Sequence, residues 1–212
     1  MRRAEPKPFS AEDFRRRVGA MPDIDDAAFA RYGDHRLNPD LIEELARAKL
    51  REAAVLVPIV ETDGDARVIL TRRNASLRKH SGQIAFPGGA VDPEDASVEA
   101  AALREAQEEI GLDPAFVEPI GQLPHYLTAT GFRIIPVLSI VQREFTTTIN
   151  PEEVDAVFEV PLSFLMTDQN HGRASRIWNG RERHFYTMPY EQWFIWGITA
   201  GILRTLYERL YA

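Results

Sequence analysis

Residues 88–112 read GGAVDPEDASVEAAALREAQEEIGL. A Gly-Gly turn leads through Pro93 and three acidic residues into a stretch free of Gly and Pro. That stretch predicts a helix over 97–110, with Gly111 at the C′ position where a left-handed residue ends a helix. At about 100° of rotation per residue, Glu105, Glu108 and Glu109 project within one sector, and Leu103, Ala106 and Ile110 occupy the opposite one. Like charges at i, i+4 cost about 0.2–0.5 kcal/mol per pair. Crowded carboxylates of this kind suit Mg²⁺ or Mn²⁺, and a bound cation would turn the repulsion into a function. Taken alone, such a face is more often solvated surface. The adjoining Gly-Gly turn and the REAQEEIG spacing favour a site.

Upstream of this segment, residues 53–60 (AAVLVPIV) form a short apolar run, 61–66 (ETDGDA) a turn, and 67–73 (RVILTRR) a second run, which together predict a β-hairpin. A further strand is expected at 82–86. Downstream, strands are expected near 117–123, 133–142 and 157–160, a short helical turn at 161–165, and a closing helix over 190–210. The aromatics Trp193, Phe194 and Trp196 in that last stretch read as core or interface packing. Residues 9–50 contain two helix-like stretches, 10–18 and 38–50. Ser10 before Asp13, and Asn38-Pro39 before Glu43 and Glu44, are suitable helix starts. The expected architecture is an α/β (α+β) fold, a mixed sheet between helical layers, with an N-terminal helical arm at 1–50 and one principal domain at 51–212.

The chain has 212 residues, 44% of them hydrophobic, enough for a full core. It has no cysteine, so disulfides, a thiolate nucleophile and a cysteine-based zinc site are ruled out. A net charge of -7 argues against binding to nucleic-acid backbones, though not against one small anion held by a local cationic patch. The N-terminus lacks the apolar stretch of a secretory signal, and the apolar runs fall short of the ~18 residues that span a bilayer. No membrane partner and a cytoplasmic location are therefore expected. A homodimer is open to the chain through apolar and aromatic segments of the arm and the C-terminal helix. Ser81-Gly82 makes no nucleophile elbow, and no Ser-His-Asp arrangement is spaced for catalysis.

The segment from Gly89 to Leu112 resembles the Nudix box of Nudix hydrolases. REAQEEIGL, residues 104–112, fits the second half of that motif at every defined position. The first half departs from it, with Asp95 where the general motif has Glu and one extra residue before Arg104. This lengthened, Asp-bearing form is similar to that of the coenzyme A pyrophosphatases, and residues 70–89 (LTRRNASLRKHSGQIAFPGG) look like their additional signature, with Asn74 where Ser is expected. Residues 128–137, 150–162 and 195–203 also look like that group, so the resemblance covers roughly 50–210 and a Nudix-type fold is implied.

The resemblance implies a metal-dependent hydrolase that cleaves the diphosphate of coenzyme A and acyl-CoA to 3′,5′-ADP and (acyl-)4′-phosphopantetheine. Glu105 and Glu109 would hold the divalent ion, Mg²⁺ or Mn²⁺, with a carbonyl of Gly89 beside it and Glu108 as a further ligand or a base. Arg104 would orient a carboxylate. Glu153 is a weaker candidate for an additional ligand or general base, and equally reads as a turn residue. Arg72, Arg73, Arg78, Lys79 and His80 form a basic cluster suited to the substrate's phosphates; a solvated loop is the plainer reading. His125 and Tyr126 either stack a base or pack a strand end. Two alternatives stay open: a Nudix hydrolase of another nucleoside diphosphate derivative such as ADP-ribose or a dinucleotide, and a non-catalytic nucleotide-sensing module.

Overall fold

Two near-continuous apolar runs, AAVLVPIV at 53–60 and IIPVLSIV at 134–141, lie side by side in the computed structural model, which describes residues 6–22, 32–76 and 82–212. They belong to β1 (Arg51–Val60) and β7 (Phe132–Val141), which pair in parallel from Arg51↔Phe132 to Val60↔Val141. Strands buried on both faces lose the apolar-polar alternation, which is why both runs are continuous. β2 (Arg67–Arg73) pairs antiparallel with the end of β1 and, along its length, with β8 (Val154–Pro161). β5 (Val117–Gln122) pairs antiparallel with β7. Short strands β3 (Ile84–Ala85), β4 (Gly88–Ala90) and β6 (Tyr126–Leu127) attach to β2, β1 and β7. The result is a mixed eight-stranded sheet, as expected.

Helix α3 (Val98–Ile110) covers one face, where Ala101, Ala102, Ala106 and Ile110 pack on Ala54, Leu56, Ile69 and Val137. Small alanines let the helix axis come close to the sheet. On the other face, α1 (Ala11–Gly19) and α5 (Gly197–Leu210) enclose a larger core that includes Phe14, Val57, Leu70, Leu138, Leu203 and Leu206. The short helices α2 (Ile42–Arg47) and α4 (Leu162–Leu165) sit at the periphery.

Within the N-terminal segment, Ser10 caps α1 as its spacing predicted, its hydroxyl accepting from the Asp13 N–H at 3.2 Å. Phe14 is fully buried in the shared core, and Arg17 donates to the Leu210 carbonyl at 2.7 Å. The second expected helix, 38–50, is shorter: a 3-10 turn at Pro39–Leu41 runs into α2, and Arg51 already begins β1. The buried residues of α1 and α5 pack inside the protein. Among the described residues the exposed large apolar side chains are Ile42, Ile149, Ile177, Trp178 and Phe194.

The closing helix is the main correction. Residues 190–196 are not helical but close a strand, turn at 191–192 and open another: β9 (Gly172–Trp178), β10 (Arg181–Tyr190) and β11 (Trp193–Trp196) form a separate antiparallel sheet, and α5 begins only at Gly197. Asn179-Gly180, both with positive φ (49° and 74°), turn β9 into β10. Asn-Gly between two runs is a strong hairpin signal, and the sequence carried it. No helix among the described residues is long and apolar enough to cross a membrane.

Candidate functional site

Three segments meet at the end of α3 that faces β2. The first is the Gly-Gly turn. Gly88 has φ 156°, and a Cβ there would fall on the Ala54 carbonyl and on Val55, so only glycine lets β4 lie against β1. The Gly88 N–H points at α3 and donates to Glu109 Oε2 at 3.2 Å. Gly89 is tight for a different reason: a Cβ would lie 2.5 Å from the Glu105 carboxyl carbon. There is no room for a side chain between the Gly89 backbone and the Glu105 carboxylate.

The second segment is α3. Ser97 caps it, accepting from Ala100 N–H at 3.2 Å, and Gly111 ends it in the left-handed conformation at φ 65°. Its glutamates do not share one exposed sector. Glu109 is 2% exposed and lies in the same buried arc as Ala102 and Ala106, Glu105 is half-buried, and Glu108 is exposed. The reason is angular: Glu109 lies ~20° and Glu105 ~60° from Ala102 on the same side, and Glu108 is a further ~60° beyond Glu105. The expected opposition of glutamates to the packing face is thereby corrected.

The third segment is the turn at 150–153. The Asn150 N–H donates to the Glu109 carbonyl at 2.9 Å, and the Asn74 N–H donates to the Glu153 carbonyl at 2.8 Å. Asn74, where the signature has Ser, also donates its carboxamide to the Pro151 carbonyl and accepts from Ser76 N–H at 2.8 Å. It ties the end of β2 to this turn. Glu153 is thus brought beside Glu105 and Glu109.

These placements are felt electrostatically. Burial, reinforced by Glu105 and Glu153 and offset by Arg73 and the Gly88 N–H, pushes the Glu109 carboxyl up to about 7. Burial also raises Glu105, opposed by Arg104 and aided by Glu108 and Glu153. Arg104 is the hub of the outer rim. It donates to Asp95 at 2.9 and 3.0 Å, to Glu105 at 2.7 Å, to Glu108 at 3.1 Å and to the Ala90 carbonyl at 3.2 Å. Those partners raise its pKa, and Asp95 is lowered by the same bonds. Asp95 is a positional residue that sequence reasoning noted only as a departure from the motif; its place before the helix was the available signal.

The basic cluster is divided. Arg73 turns to the α3 face, 3.4 Å from Glu109. Arg72 turns to the other face, where its Nε donates to Asp155 at 2.5 Å and its guanidinium lies 5.5 Å from the Trp193 ring centre. Alternation along β2 forces this split, since Val68 and Leu70 face the α5 core and Ile69 the α3 core. Arg78, Lys79 and His80 lie outside the described residues. Tyr126 is buried and donates to Asp34 at 2.9 Å, which is the packing role.

Among the described residues, no three carboxylate or imidazole groups stand together at metal-ligating distance. Arg104 draws Glu105 and Glu108 to itself, and Arg73 stands on Glu109. The donor set nonetheless fits a hard divalent cation: a buried and a half-buried carboxylate carry unfavourable charge, Glu153 adds negative charge beside both, and the Gly89 backbone abuts one of them.

The NUDIX domain matches residues 50–178. An uncharacterized Nudix hydrolase NudL from Shigella boydii serotype 4 (strain Sb227) is 46% identical over 156 residues, 74% of this chain and 81% of that protein. The protein of the same name from Escherichia coli O1:K1 / APEC matches to the same extent. A NUDIX hydrolase structure from Alicyclobacillus acidocaldarius has 20% identity and a TM-score of 0.47, covering 76% of this chain and 93% of that one. The chain belongs to the Nudix family and is a Nudix pyrophosphohydrolase. Enzymes of this family generally use divalent cations and act on small-molecule substrates.

Proposed function

We propose that this enzyme hydrolyses the diphosphate of coenzyme A and acyl-CoA, releasing 3′,5′-ADP and 4′-phosphopantetheine or its acylated form. The observation that carries the chemistry is the pair of carboxylates held at the Gly-Gly turn, half-buried Glu105 against Gly89 and buried Glu109 accepting from the Gly88 N–H. The choice of substrate is supported by the extended signature at 70–89 and its basic residues, Arg73 beside the carboxylates and Arg78 and His80 further along the sequence.

In this reading Glu105 and Glu109, with a carbonyl of Gly89, hold Mg²⁺ or Mn²⁺. When bound, the ion neutralises diphosphate oxygens and lowers the cost of charge developing on the leaving phosphate. Glu153, coupled to both ligands, takes the proton of the attacking water as its oxygen bonds to one phosphorus. The bridging P–O bond breaks, and the proton passes to the departing phosphate. Glu108, exposed and held by Arg104, serves at the rim as an outer ligand. Arg104 keeps Glu105 and the 92–95 loop in register. Arg73 binds a substrate phosphate oxygen. A cytoplasmic location fits both the substrate and a chain without cysteine.

A panel of coenzyme A, 3′-dephospho-coenzyme A and ADP-ribose, run with Mg²⁺ or Mn²⁺ and analysed for 3′,5′-ADP from the first and AMP from the other two, tests the assignment. Preference for coenzyme A, lost in E109Q, is the expected result. Faster turnover of ADP-ribose, or cleavage that survives E109Q, overturns it.

A further inference from the structure

We propose that Trp193, backed by Phe158 and flanked by Arg72 and Asp155, is a stacking platform for the purine base of the substrate's nucleotide half. The indole of Trp193 lies parallel to the Phe158 ring, with centres 4.1 Å apart and an interplanar angle of 10°. Both residues are only partly buried, and the adjoining Phe194 is 51% exposed. A stack that merely filled the core would be covered, as Leu70 and Leu138 are nearby.

The polar neighbours point the same way. Arg72 places its guanidinium 5.5 Å from the indole centre and is fixed there by the Nε bond to Asp155 at 2.5 Å, yet its side chain keeps 41% exposure. Aromatic rings and guanidinium planes are the two surfaces on which bases stack, and arginine adds attraction to the π-face. The Asp155 carboxylate has acceptor capacity beyond the one Arg72 bond, suited to an exocyclic amine such as that of adenine.

Position completes the argument. Arg72 and Arg73 are consecutive at the end of β2, one turned to Trp193 and the other to Glu109. β11, which carries Trp193, packs against β3, whose chain runs directly into the Gly88–Gly89 turn. A nucleotide whose phosphates reach Arg73 would therefore lay its base past the end of β2 onto Trp193. The location rests on the pyrophosphohydrolase reading, not on coenzyme A as the substrate.

The chain has three tryptophans, so the W178F/W196F background leaves Trp193 as the only one. Its fluorescence is titrated without metal, using AMP, ribose 5-phosphate and 4′-phosphopantetheine. AMP should quench saturably and the other two should not. In steady state, W193A should raise KM for whichever nucleotide substrate is turned over by roughly 5-fold or more, the loss of one stacked base, with kcat changed far less. W193F, which keeps an aromatic face, should recover most of that loss and covers the case in which W193A folds poorly. Equal quenching by ribose 5-phosphate, silence towards AMP, or W193F behaving no better than a well-folded W193A overturns the platform. AMP quenching in an enzyme that prefers ADP-ribose sinks the coenzyme A assignment and leaves the platform standing; coenzyme A cleavage with no AMP response does the reverse.

Discussion

The guanidinium of Arg73 stands 3.4 Å from Oε1 of Glu109, a carboxylate whose side chain is 3% exposed. It is the cation nearest to Glu109 among the described ion pairs, and it only partly offsets the cost of burial. The carboxyl accordingly titrates at about 7 instead of near 4.5. A site of this kind is strained as long as the charge is unmatched. Its acidity should therefore register in both stability and cation binding.

In the metal-free protein, folded Glu109 keeps its proton up to about pH 7, whereas the unfolded chain releases it near 4.5. The folded state then binds more protons than the unfolded one, so stability is full below pH 4.5 and falls as pH rises to 7, by at most on the order of 3 kcal/mol. Urea melts of wild type and E109Q across pH 4 to 8 measure this, and the fall should be smaller in E109Q. Mn²⁺ affinity, read by the paramagnetic signal of free ion, should rise through the same window because the ion competes with that proton. Parallel pH profiles for the two proteins would rule out Glu109 as the source.

Arg104 should behave as a geometric residue, not just a positive charge. R104A removes charge-assisted bonds to Asp95, Glu105 and Glu108 and one to the Ala90 carbonyl, and should cost about 1–3 kcal/mol in urea melts. R104K should restore less than half of it, because an ammonium lacks the planar fork that spans Asp95. Full rescue by lysine would show that only charge matters.

The two glycines of the turn should fail differently. G88A combines φ 156° with a collision against backbone atoms of β1, so loss of stability by more than about 1–3 kcal/mol is expected. In G89A the obstacle is the end of a flexible side chain, Glu105. That protein should melt near wild type while binding Mn²⁺ more weakly, since Glu105 has to move. Calorimetry and a Mn²⁺ titration of both variants separate these outcomes, and equal destabilisation would contradict the contact assigned to Glu105.

Phe14 is fully buried against the sheet although it lies in the N-terminal segment. F14A should cost about 3–5 kcal/mol, whereas E12A on the exposed side of α1 should be within about 0.5 kcal/mol of wild type. A neutral F14A would mean that α1 is a detachable arm.

Features that depend on neighbours in the chain were legible. Ser10 and Ser97 cap helices because a short hydroxyl side chain reaches its own third residue, and Gly111 ends α3 because it alone accepts the left-handed conformation cheaply. The apolar runs at 53–60 and 133–142 are legible as strands, but their parallel pairing at the centre of the sheet is not. The hairpin of β9 and β10 is marked by Asn179-Gly180 but falls in a stretch for which no element is expected from the sequence, and β11 carries the aromatics Trp193, Phe194 and Trp196 that the expected closing helix takes in. The shared roles of Arg104 and Asp95, nine residues apart and joined only by the fold of the 92–95 loop, left no periodicity to detect.

The amino-acid order alone determined that a glutamate-bearing helix follows a Gly-Gly turn and that a mixed sheet surrounds it, since caps, turns and apolar periodicity are local properties. Only the tertiary structure decided which glutamates are buried and which arginine meets them. Glu108 and Glu109 are adjacent in sequence, as are Arg72 and Arg73, yet in each pair a single step along the helix or strand turns the side chain to a different environment. What fills those environments comes from distant segments, the alanine contact of α3 with β1 in one case and Trp193 of β11 in the other. Their burial and charge could not be read before the chain was folded.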